Sequence, residues 1–419
     1  MTLQNRKIAK KLSEELISVA KEERIDLKNL EKNVNSGKAV ILKRKGHKPV
    51  GIGFGLRTKI NVNLGTSSSV HDVDQELEKV KIAQKYGADT ISDLSMGGNI
   101  DEIRQKILKN SNIPITTVPI YQAVVEEGSL EYVSEDAILG VIEKHIKDNV
   151  SSIVLHAGFN LDDIQKMKGK RIMGMVSKGG SFTASIMSDS GSNNPFYTNF
   201  DYILDLMKSN DTVLNLGNSM RSGCVHDRID ELQFSEMLTN SKLAKRANEQ
   251  GVQVILESLG GHINVKELIE WIQIHKQITN DRPLFVSGPL PTDIGIGYDH
   301  ISASIGAAFA SGHGADYLCT ITPAEHLGLP DIEDIKNGLI ACKLAAHIGD
   351  SMKFGLNYLF EVDLNIARNR FQRNWKGQFE LSLDPDYLRC KYPEQKKDCS
   401  MCGKYCALST SKRIFDKKP

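Results

Sequence analysis

Eight short runs rich in apolar and β-branched residues recur between residues 90 and 322, and nothing else in the chain restricts its fold as strongly. They are "TISDLSM" (90–96), "PITTVPI" (114–120), "SSIVLHAG" (151–158), "RIMGMVS" (171–177), "TVLNLGN" (212–218), "VQVILES" (252–258), "PLFVSGP" (283–289) and "DYLCTIT" (316–322). Segments of 3.6-residue periodicity alternate with them, such as "DQELEKVKIAQKYG" at 74–87. Eight strand–helix units over roughly 270 residues predict an α/β chain folded as a (β/α)8 TIM barrel. A doubly wound open sheet is the alternative, lowered by the lack of G-x-G-x-x-G after the first run.

Residues 1–73 read as an N-terminal capping domain. A charged helix from Asn5 to Glu23 leads to "AVILKRKG" and then "KINVNLGTSSS", a short strand entering a small-residue loop. The barrel is expected over 74–349, and a C-terminal helical arm over 350–419. The arm continues through a polar connector, "LDPDYLRCKYPEQKKD", into "DCSMCGKYCALS" (398–409). With 53 Lys+Arg against 52 Asp+Glu, the chain has no basic footprint for nucleic acid. No stretch approaches the roughly 20 apolar residues of a membrane span, and no leader is evident. Cys224, Cys319, Cys342 and Cys390 are scattered, unlike a secreted disulfide framework. These features predict a cytoplasmic enzyme.

In such barrels chemistry sits at the C-terminal ends of the strands. Polar, titratable or Gly-rich stations fall there: Tyr121, His156, Ser177 to Gly180, Asn218 with Arg221, Glu257 with His262, Phe285, Asp293 and Glu325–His326. "SKGGSF" places consecutive N–H groups in a Gly-rich turn, which suits a phosphate or is an ordinary βα turn. Arg221 either forks onto the same anion or is solvated. His262 and His326 read as ligands of a divalent metal such as zinc, or as paired core histidines. Glu257 is a candidate general base or amino-group ligand.

The tail is more specific. Cys399, Cys402 and Cys406 form C-x2-C-x3-C with no fourth ligand nearby. Three thiolates suit a [4Fe–4S] cluster with one iron left open. The alternative is structural zinc closed by Cys390 or a remote histidine.

"NVNLGTSS", "GADT", "TVPIYQA", "HAG", "GGSF", "GYDHI", "TPAEHLGLP" and "CSMCG" together resemble the phosphomethylpyrimidine synthase family almost end to end. The resemblance implies a barrel with an N-terminal domain and a cluster arm, in a homodimer whose arms are swapped. It implies that Cys399, Cys402 and Cys406 bind a [4Fe–4S] cluster whose open iron chelates S-adenosylmethionine. An electron donor such as flavodoxin or ferredoxin drives cleavage to a 5′-deoxyadenosyl radical, which attacks 5-aminoimidazole ribotide. His262 and His326 match the metal ligands. Asn63, Tyr121, His156, Ser177, Lys178, Gly179, Arg221 and Glu257 match substrate contacts, with Glu257, Tyr121 and His156 as the catalytic set.

The chain departs from that family's pattern at the pocket. Ser92 stands where the thiamin enzymes carry methionine, and "GDGLRPG" becomes "GNSMRSG", which brings in Asn218, Ser219 and Met220. "EGPGH" becomes "ESLGGH", with one extra residue between Glu257 and His262, and a tyrosine becomes Phe285. A retained radical apparatus with an altered pocket predicts the same substrate and another product. The expected activity is therefore 5-hydroxybenzimidazole synthesis, for the lower ligand of cobamides (vitamin B12). The alternatives are a phosphomethylpyrimidine synthase of thiamin biosynthesis and, from another class, a non-catalytic iron–sulphur sensor.

Overall fold

A computed structural model describes residues 6–393 and 401–415. The chain parts into two compact units between Lys353 and Phe354. The first unit opens with three helices, Arg6–Lys11, Ser13–Glu23 and Leu27–Asn35, and an antiparallel hairpin of β1 (Ala39–Leu42) and β2 (Val50–Gly53). Eight parallel strands then close a barrel. They are β3 (Lys59–Leu64), β4 (Thr90–Asp93), β5 (Ile115–Thr117), β6 (Ser152–Leu155), β7 (Val213–Leu216), β8 (Val254–His262), β9 (Leu284–Leu290) and β10 (Tyr317–Cys319), with β10 pairing back onto β3.

The barrel thus has the expected number of strands, but one differs in identity. The run at 171–177 is not a strand. It is a loop in which Gly174 takes a φ of +61° and Ile172 and Met173 are exposed. Its place is taken by β3, which lies within the segment expected to cap the barrel. "KINVNL" alternates polar and apolar residues, which reads as a half-solvated edge. Here the polar set turns inward and finds partners there. The Asn61 amide oxygen accepts from the hydroxyls of Thr90 (2.9 Å), Ser92 (3.0 Å) and Tyr317 (3.2 Å). The Lys59 ammonium pairs with Glu23 at 3.1 Å and donates to the Arg57 carbonyl at 2.8 Å. Buried polar groups survive only with such partners.

The hairpin closes the N-terminal end of the barrel. Val40, Leu42 and Ile52 pack against Val213, Ile255 and Tyr317. The Gln253 amide, just before β8, accepts from the Ile41 N–H (2.8 Å) and donates to the Ile41 carbonyl (3.2 Å). The opposite end carries the longer loops. The helix Lys178–Ser190 starts there, capped by the Ser177 hydroxyl, which accepts from the Gly180 N–H at 3.1 Å.

The second unit contains the helices Leu356–Gln372, Trp375–Glu380, Pro385–Lys391 and Ala407–Phe415. Among the described residues no helix is long and apolar enough to cross a membrane.

Candidate functional site

The C-terminal ends of the strands surround a cavity of about 560 Å³, within the range of small-molecule sites. Asn63, Ser92, Tyr121, His156, Ser177, Lys178, Arg221, Glu257, His262, Phe285 and His326 all line it, contributed by every strand of the barrel or the loop that follows it. Four of the expected substrate-contact and pocket positions do not. Gly179 lies beneath His156, so close that an added Cβ would sit 2.2 Å from the ring Cε1. Asn218, Ser219 and Met220 are buried behind the lining. The N–H groups of Ser219 and Met220 each donate to the Glu236 carboxylate at 2.8 Å. The Asn218 side-chain amide has no hydrogen-bond partner among the described residues.

The lining carries both cationic and acidic groups. Lys178, at the start of a 13-residue helix, holds its ammonium 5.5 Å from the Tyr121 ring centre, and burial lowers its affinity for a proton. The Arg221 guanidinium donates to the Asn218 carbonyl at 3.0 Å. Burial, reinforced by Arg221, pushes the His156 imidazole down to about 3, so the ring is neutral. Burial pushes the Tyr121 phenol up to about 12. On the strand next to β7, Glu257 accepts from the Ser287 hydroxyl at 2.7 Å. Burial raises its proton affinity, and Arg221 partly offsets that. Burial raises Glu325 in the same way. Phe285 stacks on Tyr317 at 4.1 Å between centres.

His262 and His326 point their Nε2 atoms at each other across 3.2 Å. Their Nδ1 atoms lie 2.5 Å from Asp293 Oδ1 and 3.1 Å from Asp299 Oδ1. A carboxylate only accepts, so each Nδ1 carries a proton, and Nε2 is the nitrogen left to ligate. Nitrogens bound about 2.0–2.1 Å from a tetrahedral Zn²⁺ stand roughly 3.3–3.4 Å apart. The pair therefore fits a divalent cation. No group of three or more His, Cys, Asp or Glu suited to a metal is present among the described residues.

Of the tail cysteines, Cys399 lies outside the described residues. Cys402 and Cys406 are partly exposed. The Ser409 and Leu408 N–H groups, in the first turn of Ala407–Phe415, lower the proton affinity of the Cys406 thiol, with a contribution from Arg373. A thiol biased toward thiolate is what an iron ligand requires.

Sequence reasoning missed the roles of Asp299, Glu236 and Ser287, and Asp293 entered it only as a strand-end acid. "GYDHI" contains Asp299. Nothing marks Glu236, an acid in the middle of the helix Glu231–Gln250.

A family model described as the Radical SAM ThiC family matches residues 2–413. The chain is similar to the phosphomethylpyrimidine synthase of Pyrococcus furiosus, at 43% identity with 97% of each chain covered. That of Methanocaldococcus jannaschii is 43% identical, with 95% of each covered. Among solved structures, a dihydropteroate synthase from Coxiella burnetii aligns with 72% of this chain and 96% of its own, at 14% identity and a TM-score of 0.40, too distant to bear on chemistry.

These full-length relatives overturn the expectation of 5-hydroxybenzimidazole synthesis, and with it cobamide biosynthesis; they point to thiamin instead. They lend nothing to an iron–sulphur sensor. Ser92 and Phe285 line the cavity, but the other two departures leave its lining in place. Asn218 does not reach the cavity. The residue inserted before His262 is taken up by a register shift of β8 between Glu257 and Leu259, and Glu257 and His262 both still face the cavity.

Proposed function

The chain belongs to the Radical SAM ThiC family, and on that premise we propose that it forms the phosphomethylpyrimidine of thiamin from 5-aminoimidazole ribotide. It is a radical SAM enzyme, and membership implies a [4Fe–4S] cluster, S-adenosylmethionine and a reductant. Flavodoxin or ferredoxin would fill the last role. The observation that supports the reading best is the single cavity into which strand-end side chains of both charge signs converge.

The cluster and S-adenosylmethionine, when bound, supply the radical; Cys399, Cys402 and Cys406 would hold the cluster. The chain's own residues bind and orient. Lys178, Arg221 and the N-terminus of Lys178–Ser190 offer a cationic seat for the ribotide phosphate. Neutral His156 can accept or donate one hydrogen bond without adding charge. Glu257, held by Ser287 and raised by burial, can exchange a proton with the substrate amine or ring. His262 and His326 would hold zinc or another divalent cation.

Anaerobic turnover with 5-aminoimidazole ribotide, S-adenosylmethionine and a reductant tests this. A pyrimidine phosphate with 5′-deoxyadenosine is expected. A fluorescent hydroxybenzimidazole, or no deoxyadenosine, overturns it.

A further inference from the structure

Both carboxylates that hold the metal-facing histidines come from one stretch of chain, the connection from β9 to the helix Asp299–Gly312. We propose that Asp293 and Asp299 are positioning residues for a divalent cation, and that the connection 291–299 works as one bracket for both imidazoles. This rests on the metal reading above.

Each Nδ1–carboxylate contact fixes a tautomer and a ring plane at once. Without it an imidazole can carry its proton on Nε2, where it blocks ligation, or swing its lone pair away. The two acids are built differently. Asp299 is buried, and its second oxygen accepts from the Gly297 N–H at 3.2 Å within the same connection. Asp293 is partly exposed, and its second oxygen accepts from the Val225 N–H at 3.0 Å. Val225 lies on the loop that follows β7, four residues beyond Arg221. Asp293 thus ties His262 to the loop carrying the cavity's guanidinium. The bracket holds two histidines from different strands, His262 at the end of β8 and His326 after β10.

Calorimetric titration of the full chain with Zn²⁺, paralleled by Co²⁺ absorption spectra, tests the assignment. The site counted is the one that disappears in the double variant His262→Ala/His326→Ala. Asp293→Asn and Asp299→Asn should each weaken that site about 10- to 100-fold, and Asp293→Glu should recover part of the loss. Asp293 is not buried, so its variants remain informative if Asp299→Asn misfolds; thermal melts report that directly. Unchanged affinity in Asp293→Asn, with wild-type binding that depends on the histidines, overturns the bracket alone. Wild-type protein with no histidine-dependent site overturns the metal reading and the bracket together.

Discussion

Gly179→Ala places a methyl group where the His156 ring already lies. The added Cβ would sit 2.2 Å from Cε1 and 2.6 Å from Nδ1, against an ordinary contact of 3.4 Å or more. The ring must therefore retreat by about 1.2 Å, and retreat is restricted. A Cβ on Gly217 would lie 2.9 Å from the Cδ2 and Nε2 edge of the same imidazole, so the ring is held between two missing side chains. Overpacking of this kind costs about 1–3 kcal/mol, while alanine gains at most about 1 kcal/mol of helix propensity over glycine. The net loss is about 0–2 kcal/mol, a fall in melting temperature of at most about 3 °C in a unit this large. Turnover should suffer more, because displacing a reacting-site group by ~1 Å can cost about 100-fold. Gly140→Ala is the control. Its Cβ would meet nothing within 4 Å, in the middle of the helix Glu135–Lys147, so it should stabilise the protein by about 0.5–1 kcal/mol. Thermal melts and anaerobic turnover of both variants decide the matter. A Gly179→Ala protein that melts as high as Gly140→Ala and turns over fully would refute the reasoning. The double variant Gly179→Ala/Gly217→Ala closes both directions of retreat and should lose more than the sum of the singles.

Glu236 is buried and its carboxyl is pushed up to about 7. Its folded affinity for a proton exceeds the unfolded one, so it makes stability fall as pH rises from about 4.5 to 7. Glu236→Gln should remove that component from melting curves taken at pH 5 and 7.5; an unaltered pH slope argues against it. Cys402→Ala should abolish 5′-deoxyadenosine formation and iron binding while the barrel still melts cooperatively. Unfolding of the barrel would instead mark the tail as structural. Arg221→Ala removes a charged donor worth about 1.5–3 kcal/mol. KM for the ribotide should rise about 10- to 100-fold, with S-adenosylmethionine cleavage less affected; equal losses in both would deny Arg221 a substrate-binding role.

The barrel was legible where strands are buried on both faces and read as unbroken apolar runs, as in β6 and β9. At β3 the strand was legible but its place in the barrel was not, because Lys59, Asn61 and Asn63 look solvated until their partners Glu23, Thr90 and Cys319 are known. The barrel was misread at 171–177, where the apolar residues serve an exposed loop. The cavity lining was readable because strand ends converge whatever their sequence separation. The groups behind it were not. Asp299 meets His326 across 27 positions and Asp293 meets His262 across 31, and no periodicity encodes such contacts. The substitutions at the pocket were visible, but their weight was not. Ser92 faces the cavity, whereas Asn218 turns away from it, and only the fold separates the two.

The barrel's packed interior, covered at its base by the hairpin, makes the cavity a cup. Every molecule that reaches the floor must pass the one rim, and whatever seats deepest has to arrive first and depart last. Traffic through the enzyme is then ordered by depth as well as by affinity. An inhibitor lodged near the rim would trap what lies below it, and so would lengthen the residence of a ligand it never touches.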